Sequence, residues 1–355
     1  MKNISISKFK INNSSRPFII AEISSNHNWS LKHTLKLIKK IKEAGANAIK
    51  IQTYNEHSMS FDSKKSDFII QKGIWKNYNL FELYKDAKTP LEWHKKIFQY
   101  ARNLGLIAFS TPFDEPSADF LMKLNVPAFK IASFEIVDHP LIEHIAKKKK
   151  PIILSTGMAS IKDISQAIQI IKKAKNDKII LLHCMSNYPT KHYDYNLKMM
   201  TKLQNKFNLN VGLSDHTEGE EVAMAATALG AKVIEKHVKL VGDSKSHDSK
   251  FSMDTRKFKT YCKKINTIWE SLGSSSFDAR KDKESTKFRR SIYAVKEIAK
   301  DEIISATNIK KIRPGYGLHP KFYFKIMGKK ANKKINAGTP MHLNFIKDYK
   351  KIKFI

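Results

Sequence analysis

Apolar positions along the first 240 or so residues fall into eight short runs. They are PFIIAEI (17–23), AIKIQT (48–53), LIAFSTP (106–112), AFKIAS (128–133), PIILST (151–156), IILLHC (179–184), VGLSDH (211–216) and VIEKHV (233–238). Each closes on polar or ionisable residues and is followed by a stretch with helical patterning. A strand covered on both faces reads as a continuous Val/Ile/Leu run, so this alternation predicts a parallel sheet of βα units. Eight such units make an α/β protein of the (β/α)8 barrel type, in which the carboxyl ends of all strands surround one mouth and active sites lie there. Glu22, Lys50, Gln52, Lys130, Ser133, Ser155, Ser214, His216, Lys236 and His237 are therefore expected to converge on one pocket.

The chain has 355 residues, more than a single barrel of about 250 needs, so a smaller second domain is expected. The last barrel helix is predicted over Thr255–Leu272 and ends at Gly273-Ser274-Ser275-Ser276, a run that breaks helices. This gives a barrel domain over 1–275, a charged linker over 276–290 and a small β-rich domain over 291–355, where short alternating runs are punctuated by Gly and Pro. Residues 1–16 read as an N-terminal ribbon. The segment from Asn55 to Thr89 is the longest excursion between strand and helix, and such loops build pockets on barrels. Its Phe68, Trp75, Tyr78 and Tyr84 are placed to cover the barrel top or to touch a substrate.

Charge changes this picture little. The formal net charge is +32, but only seven of the 65 basic residues are Arg, the residue favoured for bidentate recognition of phosphate and base edges. The Lys residues are spread over predicted helix surfaces, so they read as solvated faces and no nucleic-acid partner is expected. Cys184 and Cys262 are too few for a disulfide framework. With no run of 18 apolar residues and no N-terminal apolar segment, the expectation is a cytoplasmic protein without membrane contact.

At the mouth, His216 and His237 end neighbouring strands and can reach one point, a pattern suited to a divalent ion such as Mn²⁺, Co²⁺ or Zn²⁺ with open positions for water or substrate; the cofactor expected is Mn²⁺, Co²⁺ or Mg²⁺. Ammonium groups at Lys50 and Lys130 are costly to bury without an anionic partner. Ser133, Ser155 with Thr156, Ser186 and Ser214 add hydroxyls, and the turn at Gly157 can present backbone N–H groups to a phosphate. One Lys as a Schiff-base nucleophile is the alternative. Glu22 and Glu135 can manage a proton, orient a ligand or simply pair with a lysine.

AEISSNH (21–27), KIQTY (50–54), FKIASFE (129–135), STGM (155–158), HCMSNYP (183–189), GLSDHT (212–217), EKH (235–237) and Asp248-Ser249 follow one another in an order that resembles the sialic acid synthase family. These are phosphoenolpyruvate-condensing synthases of nine-carbon sugar acids. DFIIQKGIW (67–75), LYKDAKTPLEWH (83–94), DSKFSMD (248–254) and PGYGLHPKFY (314–323) are most similar to the branch that makes pseudaminic acid. Trp29, Val238 and the acidic 218–221 segment depart from the family pattern. The resemblance implies that the C-terminal domain is an antifreeze-like (SAF) cap and that the enzyme is a transferase. It implies phosphoenolpyruvate held by Lys50, Lys130, Ser133, Ser155, Ser186 and Ser214, and a metal on His216 and His237. The amino-sugar aldehyde would meet Gln52, Tyr54, Glu135, Tyr188 and Asp248, with Arg313 added from the partner subunit of a domain-swapped homodimer. The acceptor implied is 2,4-diacetamido-2,4,6-trideoxy-β-L-altropyranose, with N-acetylneuraminate or legionaminate synthesis from N-acetylmannosamine-type sugars as the alternative.

Overall fold

The computed structural model describes residues 2–273 and 279–351, which form two compact units, Met1–Gly273 and Ser274–Ile355. In the first unit an antiparallel hairpin, β1 (Ile4–Ile6) and β2 (Phe9–Ile11), precedes the barrel. Its Ile4, Ile6 and Ile11 are buried, and Phe9 packs on Phe18, the first residue of the first barrel strand. The ribbon therefore closes the end of the barrel opposite the mouth.

The barrel strands are β3 (Phe18–Glu22), β4 (Ala48–Thr53), β5 (Ile107–Pro112), β6 (Phe129–Ile131), β7 (Ile152–Ser155), β8 (Ile179–Cys184), β9 (Asn210–Asp215) and β10 (Val233–Lys239). All pair in parallel in sequence order, and β10 pairs with both β9 and β3, so the sheet closes without an edge. Each strand overlaps one of the eight apolar runs, and nearly every strand residue is buried. A two-residue strand, β11 (Met253–Asp254), adds to the far end of β10.

Helices α1 (Leu31–Ala44), α2 (Glu56–Met59), α3 (Leu80–Ala87), α4 (Leu91–Asn103), α5 (Glu115–Lys123), α6 (His139–Lys147), α7 (Ile161–Lys173), α8 (Lys198–Phe207), α9 (Glu221–Ala228) and α10 (Thr255–Leu272) belong to this unit. Their starts follow from local chemistry: Ser30, Asp114, Asp138, Ser160 and Asp254 accept first-turn N–H groups, and Ser160 with Asp163 makes a reciprocal capping box. The Asn55–Thr89 excursion is more ordered than a loop, since Asn79 caps α3 within it.

The second unit has its own core of Ile292, Ile298, Ile304, Ile309, Ile326, Met341 and their neighbours. Its regular sheet is the antiparallel pair β12 (Ser291–Ala294) and β13 (Ile309–Ile312), extended by single bridges such as Ile298 with Ile335. A short helix, α11 (Tyr323–Ile326), lies between them and the C-terminal bridges. Of the expected linker, 276–278 lie outside the described residues, and Ala279–Phe288 is wound into kinked 3-10 turns. Among the described residues no helix is long and apolar enough to cross a membrane.

Candidate active site

Successive side chains of a strand point to opposite faces. On β4 this sends Lys50 inward, with the half-buried Gln52 on the same face; on β10 it sends Glu235 and His237 inward. The result is a buried chain of opposite charges across the barrel. Lys50 Nζ is paired with Glu22 Oε2 and lies 3.6 Å from Glu235 Oε1. Lys130 Nζ is 3.9 Å from the same Glu235 oxygen, which accepts the Ser214 hydroxyl at 3.1 Å. Lys50 also donates to Thr111 Oγ1 at 3.3 Å, and Lys130 to the Ile131 carbonyl at 3.2 Å.

Burial and pairing compete at each of these groups. Burial raises the Glu22 carboxyl to about 7 against the pull of Lys50. Burial works against the Lys50 ammonium too, but Glu22 and Glu235 outweigh it and raise its pKa. At Lys130 burial wins over Glu235 and the pKa falls. Burial opposes the charge on Glu235, yet Lys130 and Lys50 hold it below the usual range. Glu135, on the turn after β6, is pushed up to about 7 by burial.

Five buried polar atoms around this mouth make no hydrogen bond: Ser155 Oγ, Ser186 Oγ, Glu135 Oε2, Glu235 Oε2 and His237 Nδ1. An unmet buried polar group costs roughly 1–3 kcal/mol, so five at one mouth mark a surface shaped for a polar ligand rather than for stability. The turn after β7 shows the same crowding. Gly157 donates its N–H to Ser133 Oγ at 3.2 Å, and a Cβ there would lie 2.2 Å from Ser186 Oγ. Ser133, Ser186 and the turn backbone therefore meet only because residue 157 has no side chain.

His216 and His237 do come together, with ring centroids 5.4 Å apart. His216 Nδ1 is 2.7 Å from the Met185 carbonyl, a bond that leaves Nε2 for other use. Cys184 Sγ, 3.7 Å from the same nitrogen, raises the His216 pKa against the opposing effect of burial. Burial, then His216 and the nearby lysines, hold His237 neutral, well below its ordinary value. Asp248 Oδ2 is 4.0 Å from His237 Nδ1 and accepts the Ser25 N–H at 3.1 Å, tying the loop after β10 to the one after β3. Among the described residues no group of three or more His, Cys, Asp or Glu side chains is arranged to hold a metal ion. The donor set that fits a metal is the two imidazoles, one with an unpartnered buried nitrogen, leaving further positions to water or substrate.

Aromatic side chains wall the mouth. The Tyr188 ring is 4.4 Å from His216 and 5.6 Å from Trp75, and Phe251 is 5.0 Å from His237. Trp75 reaches across from the long excursion and donates to the His247 carbonyl at 3.1 Å. Tyr54 is buried against Tyr84 and Phe113. Trp29 points away from this wall, donating at 2.6 Å to the Asp86 carbonyl at the end of α3.

One expected pocket residue is not in the pocket. Lys236 faces the helix layer, paired with Asp215 at 2.9 Å and lying over the Tyr261 ring of α10. The strand alternation that turns Glu235 and His237 inward must turn Lys236 outward. Thr111 is the polar residue missed at the centre of the site, and Glu235, which opens the EKH run that ends on His237, joins it there as the shared partner of Lys50 and Lys130. Counting by two from His237 finds Glu235, whereas nothing local singles out Thr111. Arg313 is exposed on the second unit. A basic groove of about 760 Å³ between α1, residues 240–245 and the start of α10 lies on the outer wall and holds none of these candidates.

A closed parallel barrel whose mouth gathers buried ammonium groups, hydroxyls without partners and two imidazoles is the site of an enzyme. The sequence model of the NeuB family matches residues 37–277, and that of the SAF domain matches 289–346. The chain belongs to the NeuB family, the sialic acid synthases, and is a transferase-type synthase. It is 47% identical to a pseudaminic acid synthase of Campylobacter jejuni over 93% of this chain and 96% of that protein. It is 36% identical to the N,N'-diacetyllegionaminic acid synthase of the same strain, over 90% of this chain and 96% of that one. The crystal structure of the spore coat polysaccharide biosynthesis protein SpsE from Bacillus subtilis superposes with a TM-score of 0.67 at 31% identity, covering 97% of this chain and 99% of that chain.

Proposed function

We propose that the chain condenses phosphoenolpyruvate with 2,4-diacetamido-2,4,6-trideoxy-β-L-altropyranose in its open-chain form to give pseudaminic acid and phosphate. The observation that carries the choice of sugar is the contrast between two proteins of one Campylobacter jejuni strain: 47% identity to the pseudaminic acid synthase against 36% to the legionaminic acid synthase. Both relatives come from the same cell, so distance between organisms does not account for the gap.

In this reading Lys50 and Lys130, with Ser133, Ser155, Ser186 and Ser214, hold the phosphate and carboxylate of phosphoenolpyruvate. Fixing its C3 against the sugar aldehyde carbon can remove roughly 7–11 kcal/mol of the bimolecular barrier. C3 forms the new C–C bond, water adds at C2, and the C2–O bond to phosphate breaks. Glu22, with its carboxyl near 7, is suited to take the proton that the water loses or to supply the one the new alkoxide needs. His216 and His237 would hold a divalent ion, which would supply Lewis-acid polarisation of the aldehyde oxygen. Gln52, Tyr54, Glu135, Tyr188 and Asp248 line the sugar side. Arg313 is assigned to the sugar of a partner subunit's barrel in a swapped homodimer.

The test is phosphate release from phosphoenolpyruvate with a panel of acceptor sugars, before and after chelation and with Mn²⁺ restored. The diacetamido altrose should give the highest kcat/KM, and activity should vanish with chelator and return with Mn²⁺. Equal or better kcat/KM with N-acetylmannosamine or the legionaminic precursor overturns the choice of sugar. Full activity after exhaustive chelation overturns the metal. A product trapped on Lys50 or Lys130 by borohydride would instead establish imine chemistry.

A further inference from the structure

Behind the two histidines, on the outer wall of the same strands, lies a polar cluster that this chemistry does not use. Asp215 and Lys236 are register partners of β9 and β10, and each immediately precedes one of the histidines. Asp215 Oδ2 accepts from Lys236 Nζ at 2.9 Å and from the Tyr261 hydroxyl of α10 at 3.1 Å. Asp215 Oδ1 accepts the backbone N–H and the hydroxyl of Thr217 at 2.9 and 2.7 Å. Lys236 spends its other donors on the carbonyls of Thr217 and Gly219. The Asp215 and Lys236 side chains are 0% and 1% exposed, and Tyr261 is fully buried.

A buried ion pair is weak evidence for added stability, because desolvation offsets most of its attraction. Its value lies in fixing a geometry. Here the geometry is specific: tying residue 215 to residue 236 on the outer face sets the relative height and spacing of residues 216 and 237 on the inner one. Thr217, on the far side of His216, is held by the same carboxylate, so His216 is bracketed by two residues bound to one anchor. We propose that Asp215, Lys236 and Tyr261 form a positioning clamp that sets the separation of the His216 and His237 imidazoles, and with it the affinity for the divalent ion. The proposal rests on the two-histidine reading above. Partners hydrogen-bonded directly to a metal ligand govern affinity by about 10–100-fold; this clamp bonds neither imidazole and acts through the two strands, so the low end of that range is expected.

The experiment measures the Mn²⁺ dissociation constant of the full metal-free chain by electron paramagnetic resonance, beside its thermal midpoint. Lys236→Met should weaken Mn²⁺ binding about tenfold or more, and the milder Tyr261→Phe by a few-fold. Thr53→Val is the control. It removes a buried link on the opposite wall, where Thr53 Oγ1 lies 2.8 Å from His94 Nε2 and 2.6 Å from Ser110 Oγ, and it should lower the midpoint while leaving Mn²⁺ affinity unchanged. If Lys236→Met does not fold, Tyr261→Phe decides. Folded variants that bind Mn²⁺ within twofold of the parent chain overturn the clamp and leave it a support for α10. If the parent chain binds no Mn²⁺, the metal reading fails by itself. The clamp is then judged in crystals of Tyr261→Phe: a change of more than about 0.5 Å in the 5.4 Å ring separation sustains it, and an unchanged separation overturns it.

Discussion

Strands β9 and β10 carry two polar clusters on opposite faces that are equally buried and opposite in their bonding. On the outer face the Asp215 carboxylate has four donors. On the inner face Glu235 Oε2 and His237 Nδ1 make no hydrogen bond, and Lys130 reaches Glu235 only at 3.9 Å. Folding alone would remove both kinds of cluster or satisfy both. That one is complete and the other open on the same two strands separates polarity that the protein satisfies itself from polarity left for a ligand. The outer cluster answers to the protein, and the inner one to something the protein must bind.

Substitutions should therefore divide by face, inner ones costing activity directly and outer ones costing stability, with those of the Asp215, Lys236 and Tyr261 clamp also weakening Mn²⁺ binding through the histidines it positions. The largest effect is expected at His237→Ala: a fall in kcat/KM of about 10²–10³-fold or more, read by phosphate release, with the fold intact by circular dichroism. Retention of activity near that of the parent chain would remove His237 from the chemistry.

Next comes His94, which belongs with the outer set, buried in α4 with Nδ1 3.1 Å from the Pro90 carbonyl. Burial lowers its pKa from 6.5 to about 4. Between those values the unfolded chain binds a proton that the folded chain refuses. Its share of stability is complete above the unfolded value and is lost as the pH falls toward the folded one, up to ~3 kcal/mol. Urea midpoints at about pH 7.5 and 4.5 should show the decline, and His94→Gln should flatten that part of it. An unchanged slope would mean that other groups account for the acid loss.

Gly157→Ala crosses the division. The new methyl must displace Ser186 Oγ or Ser133, so stability should fall by about 1–3 kcal/mol, and activity with it because those hydroxyls move. Equal activity in this variant would show that Ser133 and Ser186 do not hold substrate. The smallest effect sharpens the comparison most. Ser155 Oγ is buried without a partner, so Ser155→Ala should leave the thermal midpoint level or raise it while kcat/KM falls about tenfold, or ~1.4 kcal/mol. A clear loss of stability would place Ser155 with the structural set.

Much of the barrel is legible in the chain because a parallel strand buried on both sides must be written in Val, Ile and Leu. PIILST (151–156) and IILLHC (179–184) leave no other reading, and α10 is marked by Asp254 at its start and Gly273 at its end. The candidate site is legible to the extent that strand ends converge by topology. Lys236 failed because convergence says which strand ends meet, not which face each residue takes, and the alternation through Glu235, Lys236 and His237 settles that. Tyr261 carries no local signal at all, since its partner lies 46 residues away and its role exists only after the helix packs. Trp75 likewise meets His247 from 172 residues off. The second unit was harder to foresee as structure, because single bridges such as Ile303 with Lys330 leave almost no periodicity in a sequence.

The unmet atoms at the mouth also bear on how long the chain survives in a cell. A protein that binds a ligand only when folded gains stability by mass action, about 2.7 kcal/mol when the ligand stands at 100 times its dissociation constant. Proteolysis of the transiently opened state follows that equilibrium when reclosing is fast. Under the proposed function, turnover of this chain should therefore slow when phosphoenolpyruvate is plentiful and quicken when the supply fails, so that enzyme abundance follows metabolite level without any change in synthesis. Half-life under limiting protease, with and without phosphoenolpyruvate and Mn²⁺, measures that coupling directly.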